Sequence, residues 1–262
     1  MELLLREFWK KRGSSALVIA VVFAILFAAI RGFGMLGPRR AGPLIPLAFV
    51  AMMVLPFVFL TRDGRRHMGL ARSSSSSIYF AAILYGAIAA TICYVTGRLL
   101  FHESPDNWFI TIRNYYLLQV PGGMNMPFMQ FFLIITIPAL IFSPIGEEIF
   151  FRGFLQESLQ TRLTLKASML IESAIFGLLH LFHHGLVNAN GAVKFYPLSG
   201  MLWVMLMFST AYGFAMFRKK SGSIYPAIVA HAVFNLTMNY FIFFNFLLQE
   251  ESKQMPSSGL TR

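Results

Sequence analysis

Seven apolar stretches run through the chain and constrain its fold more than any other feature. They cover 14–30, 41–60, 78–97, 127–143, 167–182, 198–217 and 224–248. An α-helix rises about 1.5 Å per residue, so about 20 apolar residues are needed to cross roughly 30 Å of hydrocarbon. Four of the stretches reach this length, 14–30 and 127–143 fall slightly short, and 167–182 is the shortest. The pattern is typical of membrane-spanning helices.

The composition excludes the possibility that these stretches form the core of a soluble protein. Apolar residues make up 56% of the chain and charged residues 13%, whereas soluble domains have about 45–50% and about 25%. A soluble enzyme, a disordered chain and a coiled coil are therefore excluded. Segment 144–160 is less apolar but continues from 127–143 without a loop. We expect an all-α, polytopic transmembrane helix bundle with seven to eight membrane segments, forming a single integral membrane domain over 1–262.

The charge pattern predicts the orientation of the chain. Lys and Arg number 22 against 11 Asp and Glu, and the basic residues cluster between apolar runs, as at Lys10–Arg12, Arg65–Arg66 and Arg218–Lys220. Such clusters mark cytoplasmic loops and bind anionic headgroups of the lipid bilayer. We therefore expect a cytoplasmic N-terminus and no nucleic-acid partner. The membrane would be the plasma membrane in a prokaryote and the endoplasmic reticulum in a eukaryote.

Two features fall outside this simple pattern. The predicted loop 31–40 carries Arg31, Arg39 and Arg40 on the side opposite the other basic loops, against the positive-inside rule. The single cysteine, Cys93, excludes an intrachain disulfide and a cysteine metal cluster.

Six polar residues in the second half of the chain indicate function, because ionisable groups at membrane depth are costly. They are Glu147, Glu148, Arg152, His180, His231 and Asn235. Measured along helices from the basic loops, His180, Glu147 and His231 lie about 21, 22 and 16 Å into the membrane. We therefore expect these three side chains at a similar depth, near the middle of the bilayer.

The spacing within 144–160 assigns different roles to the two glutamates. Glu148 and Arg152 are four residues apart, which favours an ion pair. Glu147 lies about 140° round the helix from Arg152, so we expect it to stay unpaired. Ser143 and Pro144 are typical of a helix start. The positive end of that helix would keep Glu147 ionised, as a general base requires.

Two further pairs repeat the four-residue spacing. His231 and Asn235 would present an imidazole N–H and an amide NH₂ on one helix face, where they can stabilise a developing oxyanion. Phe176 and His180 would place an aromatic ring beneath the second imidazole.

These residues form three motifs, E-E-I-F-F-R at 147–152, F-G-L-L-H at 176–180 and H-A-V-F-N at 231–235. Together they resemble the CPBP family of intramembrane endopeptidases, named for CAAX proteases and bacteriocin-processing enzymes. The family pattern is Glu-Glu-three residues-Arg, Phe-three residues-His and His-three residues-Asn or Asp. All three motifs are present and in order, and the resemblance covers roughly 144–238.

The resemblance implies a glutamate-dependent protease with its active site inside the membrane. Glu147 and His180 would activate the attacking water, and His231 and Asn235 would form the oxyanion hole. Glu148 and Arg152 would support the site. We expect neither a metal nor another cofactor. The substrate would be a peptide or a membrane protein, and the eukaryotic branch of the family acts on prenylated proteins.

Two alternatives remain open. A zinc protease would use Glu147, His180 and His231 as ligands, although the usual His-Glu-two residues-His helix is absent. A transporter or a membrane scaffold would use the same polar residues as a proton or ion site; the break predicted at Pro144 fits a transporter, but no internal repeat is present.

Three polar residues lie outside the motifs. Glu172 lies two turns before His180, and we expect it to be a buried partner of an Arg or His rather than a catalytic group. His183 and His184 are adjacent in the loop 183–197. A metal pair is one interpretation of them, but we expect surface histidines.

Overall fold

The bundle is described by a computed structural model over residues 5–13, 15–73, 75–120, 125–189 and 191–247, with the side chain of Arg40 excepted. Within these residues, six helices are long and apolar enough to cross a membrane, and a shorter apolar helix accompanies them. This confirms the expected all-α, polytopic helix bundle, and the count agrees roughly with seven to eight segments. Residue 248, the predicted end of the last stretch, lies outside the described residues.

The principal helices, in chain order, are α1 (Ala16–Leu36), α2 (Leu44–Phe59), α3 (Ser77–Phe101), α4 (Trp108–Gln119), α5 (Phe128–Glu148), α6 (Leu165–Leu179), α7 (Pro197–Ser221) and α8 (Tyr225–Phe241). Two strands between α6 and α7, β1 (Leu186–Ala189) and β2 (Ala192–Phe195), pair antiparallel with Leu186 opposite Phe195. Short helices lie at Glu7–Lys10, Arg39–Ala41, Arg62–His67 and His180–Phe182.

The predicted helix start at Ser143 and Pro144 is wrong, because α5 runs continuously from Phe128 to Glu148 through both residues. A proline within a membrane helix is tolerated where neighbouring groups satisfy the freed carbonyl. The helix continues as a π-helical segment, Ile149–Leu155, and then as Gln156–Leu159. The wider turn therefore comes directly after the two glutamates, and π-helical turns are frequent at functional sites.

Two other segments differ from the apolar pattern. Arg31 does not lie in a loop, because α1 continues past it to Leu36 and buries its side chain. Helix α4 occupies a region to which we assigned no segment. Its start is capped by Asn107, whose side-chain oxygen accepts a hydrogen bond from the backbone N–H of Phe109.

The apolar core has two halves. One half joins α1, α2, α6 and the π-helical segment, with Phe27, Met52, Phe150, Phe154 and Phe176 among its members. The other joins α3, α4, α7 and α8, with Trp108, Trp203, Phe214 and Phe234 among its members. Large apolar side chains such as Val18, Leu47, Phe80 and Ile137 are exposed on the outside of the bundle, as helices in contact with lipid require.

Glycines allow the helices that carry the polar residues to approach closely. A Cβ added at Gly86 on α3 would collide with the carbonyl oxygen of Ala230, the residue before His231. A Cβ at Gly146, the residue before Glu147, would lie 2.6 Å from the carbonyl oxygen of Phe49 on α2. Small residues at such crossings are typical of membrane helix packing.

Gly86→Val should therefore separate α3 from α8 and destabilise the bundle. We expect a loss of about 1–3 kcal/mol, the usual cost of overpacking, measured as a lower midpoint of thermal unfolding in detergent micelles. Ala81→Val is the matched control, because Ala81 lies on the exposed face of the same helix. Equal midpoints for the two variants would contradict the close crossing.

Candidate active site

Glu147 and Glu148 end α5 and are both buried, with exposed fractions of 1% and 0%. The expectation that Glu147 stays unpaired is wrong. Arg31 Nη1 on α1 donates a hydrogen bond of 2.8 Å to Glu147 Oε1. The positive charge beside Glu147 is thus a guanidinium from a distant helix, and not the start of a helix at Ser143.

The second oxygen of Glu147 has different neighbours. Ser143 Oγ, one turn earlier on α5, donates to Oε2 at 3.4 Å. His231 Nε2 lies 3.7 Å from the same oxygen. The two oxygens of this carboxylate are therefore distinct, one held by Arg31 and the other facing Ser143 and His231.

Glu148 forms the predicted ion pair with Arg152, at 3.0 Å between Oε1 and Nη1. Arg152 Nε also lies 3.5 Å from Glu172 Oε1, which confirms Glu172 as a buried partner of an arginine. The guanidinium of Arg152 lies over the ring of Phe176 at 4.5 Å. All three charged side chains are fully buried, so the pairing compensates for their desolvation.

His231 connects the two glutamates. Its Nδ1 lies 2.8 Å from Glu148 Oε1, the oxygen that also accepts from Arg152. A carboxylate oxygen accepts hydrogen bonds, so His231 Nδ1 carries the hydrogen and donates it. The ring of His231 stacks on Phe214, with centroids 5.0 Å apart. The imidazole is thereby fixed with Nε2 towards Glu147.

His180 ends α6 and is held in a comparable way. Its Nδ1 lies 2.7 Å from the carbonyl oxygen of Phe176 and must donate to it. The Phe176 ring packs against the imidazole, as the spacing predicted, with centroids 4.5 Å apart. Among the described residues no hydrogen bond joins His180 to Glu147; the two side chains meet instead at the wall of one cavity.

The cavity has a volume of about 450 Å³. All four residues predicted to be catalytic line it, namely Glu147, His180, His231 and Asn235. Asn235 Nδ2 also donates to the carbonyl oxygen of Ala139 at 2.9 Å. Glu148 and Arg152 are absent from its lining, so they lie behind the wall that Glu147 forms.

Most of the remaining wall is apolar and comes from α2, α4, α5 and α8. Its members include Pro46, Phe49, Ile112, Tyr115, Ile134, Pro138, Phe142 and Met238. A cavity with an apolar wall and a few converging polar groups is typical of a small-molecule or peptide site.

Arg31, His183 and His184 do not lie where the sequence pattern predicts. His183 lines the cavity, and its Nε2 accepts a hydrogen bond of 3.1 Å from Arg31 Nη2. Burial and the nearby Arg31 lower the pKa of His183 well below its ordinary value. His184 is fully buried between Thr111 and Ser199, and burial lowers its pKa to about 4. The expectation of surface histidines is therefore wrong.

One signal for Arg31 was present in the sequence. Phe33, Met35 and Leu36 continue the apolar pattern beyond it, so a longer first helix would have placed the guanidinium inside the membrane. Among the described residues, no group of three or more His, Cys, Asp or Glu side chains is arranged to hold a metal ion. The zinc alternative thus lacks a ligand group in this part of the chain.

Residues 129–237 match the family of type II CAAX prenyl endopeptidases, Rce1-like. This region, which is less than half of the chain, is similar to the CAAX protease family. The match includes every residue of the three motifs and confirms the resemblance found in the sequence. Comparisons with curated proteins and with solved structures gave no match. The protein is therefore a multi-pass membrane protein in which residues 129–237 are similar to a CAAX-type protease family.

Replacing Arg152 should destabilise the helix bundle, because Glu148 and Glu172 would lose their guanidinium partner. Breaking a buried ion pair from one side costs about 3–5 kcal/mol, so Arg152→Met should give little folded protein. Adding Glu148→Gln and Glu172→Gln should restore part of the yield.

The measurement is the folded fraction on size-exclusion chromatography, with Arg162→Met as control. Arg162 is exposed in the loop after the same helix. Arg152→Met folding as well as this control would contradict the role of the buried pair.

Proposed function

We propose that the protein is an intramembrane endopeptidase in which Glu147 activates the water that attacks the peptide bond. One observation carries the proposal. Glu147 is the one acidic side chain among the described residues that line the cavity, and His180, His231 and Asn235 line the same cavity. A general base must reach the substrate space, and Glu148 lies behind it.

The reaction requires one proton to be moved twice. Glu147 Oε2 accepts a proton from water while the water oxygen bonds to the carbonyl carbon of the substrate. The tetrahedral intermediate then collapses, the C–N bond breaks with its electron pair going to nitrogen, and Glu147 returns the proton to the leaving amine. His180 Nε2, with Nδ1 occupied by the Phe176 carbonyl, would accept the second hydrogen of the water and orient it.

The developing oxyanion would be stabilised from α8. Asn235 Nδ2 carries two hydrogens, of which one bonds to Ala139, so the other is available. His231 donates its Nδ1 hydrogen to Glu148 and can act through Nε2 only when that nitrogen is also protonated. Hydrogen-bond donors stabilise a developing negative charge more strongly in a site shielded from water than they do in water.

The apolar wall supports a substrate with a hydrophobic or lipidated segment next to the cut bond. Such a segment would pack against α2, α4 and α5 while the peptide carbonyl lies near Glu147.

Cleavage of quenched fluorescent reporter peptides by the purified protein tests the proposal. The panel contains peptides with and without a farnesyl group on a cysteine near the C-terminus. We expect Glu147→Gln and His180→Ala to abolish cleavage, and His231→Ala and Asn235→Ala to slow it by about 10²–10³-fold, as for other oxyanion donors. Glu103→Gln is the matched control, because this glutamate pairs with Arg98 on the surface. Wild-type rates in Glu147→Gln would contradict the mechanism.

Metal removal separates this mechanism from the zinc alternative. We expect cleavage to survive dialysis against a chelator, because no step assigns a metal ion a role. The measurement is the cleavage rate before and after dialysis, with the metal content of the sample checked by mass spectrometry. A loss of activity that added Zn²⁺ restores would favour the zinc protease.

A further inference from the structure

Arg31 contributes a charge to the site from outside the matched domain. It lies on α1, whereas the family match begins at residue 129. Its side chain is buried, and it is the one Lys or Arg among the described residues that line the cavity. Arg152, the buried arginine of the matched domain, is already occupied by Glu148 and Glu172.

We propose that Arg31 is a positioning residue for hydrolysis, acting through Glu147. The inference rests on the proposed function of Glu147 as the general base. It adds a requirement that the motifs do not contain, namely that α1 must be docked for the base to work.

The contact with Arg31 fixes the orientation of the Glu147 carboxylate. Arg31 holds Glu147 Oε1 at 2.8 Å, while Oε2 faces Ser143 and His231 at 3.4 and 3.7 Å. A carboxylate with one oxygen held in this way cannot rotate freely, so Oε2 keeps its orientation. Displacement of a reacting group by about 1 Å can cost about 10²-fold in rate.

Arg31 also pairs its charge with that of the carboxylate. A buried carboxylate needs a partner of opposite charge. The guanidinium of Arg31 stays charged in proteins and supplies that partner at 2.8 Å. The other cationic candidate at the carboxylate, His231, is already bonded to Glu148.

Arg31 is itself held in place by His183. A guanidinium only donates hydrogen bonds, so His183 Nε2 must accept from Arg31 Nη2, and the imidazole is neutral with its hydrogen on Nδ1. The low pKa of His183, caused by burial and by Arg31, agrees with this neutral form. The adjacent Gly32 lies so close to Phe182 that a Cβ would approach its ring to 3.1 Å. α1 is therefore fitted against the turn that contains His180.

The test compares Arg31→Gln, Arg31→Lys and His183→Ala with wild type, using the reporter peptide that the wild-type protein cleaves fastest. We expect Arg31→Gln to lower kcat by about 10²-fold with KM changed less than about threefold, because a group acting on the base affects the chemical step. Arg31→Lys keeps the positive charge, so its kcat should be at least about tenfold higher than that of Arg31→Gln. His183→Ala keeps Arg31 but removes its anchor, and should lower kcat by about tenfold.

Arg39→Gln is the matched control, because it removes a charge just beyond the same helix from an exposed position. Unfolding midpoints of all variants are measured in parallel. If Arg31→Gln fails to fold, the kcat values of Arg31→Lys and His183→Ala still test the proposal, because both variants retain a cation next to Glu147.

Each outcome bears on the proposal. Loss of kcat in Arg31→Gln with recovery in Arg31→Lys supports it. A wild-type kcat in Arg31→Gln, a loss that appears only in KM, or an Arg31→Lys rate no better than that of Arg31→Gln overturns it. Glu147→Gln is assayed in the same series; full activity there would remove the proposed function, whereas its inactivity with an active Arg31→Gln removes only the role of Arg31.

Discussion

The pairing of five buried charges is the constraint on which the rest of the structure depends. Carboxylates and guanidinium groups cannot be removed from water at membrane depth unless each has a partner. Arg31 pairs with Glu147, and Arg152 pairs with Glu148 and Glu172. These groups come from α1, from α5 and its π-helical continuation, and from α6. The helices must therefore pack together for any of the charges to be tolerated, and the two apolar halves of the core meet around them.

The same pairing gives the two adjacent glutamates, Glu147 and Glu148, different surroundings. Glu148 is bound by Arg152 and by His231, and lies behind the cavity wall. Glu147 has one oxygen held by Arg31 and the other directed towards His231. A carboxylate bound by an arginine and a histidine behind the wall supports the fold, whereas the proposed mechanism requires a carboxylate with one oxygen directed towards the cavity. Different burial and different partners thus give two adjacent glutamates different surroundings, and environments of this kind are a general means of tuning acids and bases.

Contacts set by local helix geometry could be predicted from the sequence, and contacts between distant helices could not. The Glu148–Arg152 pair and the Phe176–His180 contact were predictable, because residues four apart on a helix are neighbours. The bond between Arg31 and Glu147 spans 116 residues, and no periodicity relates two such distant helices. Helix α4 was missed because its polar residues interrupt the apolar pattern. The break at Pro144 was wrong because the packed bundle, and not the proline alone, decides whether a membrane helix continues.

In the proposed mechanism, this membrane protein cuts peptide bonds by means of Glu147. The most direct measurement compares the N- and C-termini of all proteins in native cells that express either the wild type or Glu147→Gln at matched levels. The account predicts a defined set of new termini in wild-type cells that disappears in the variant, in proteins or peptides associated with the membrane. Identical termini in the two strains, under conditions where the protein is needed, would contradict it and would favour a transporter or a scaffold.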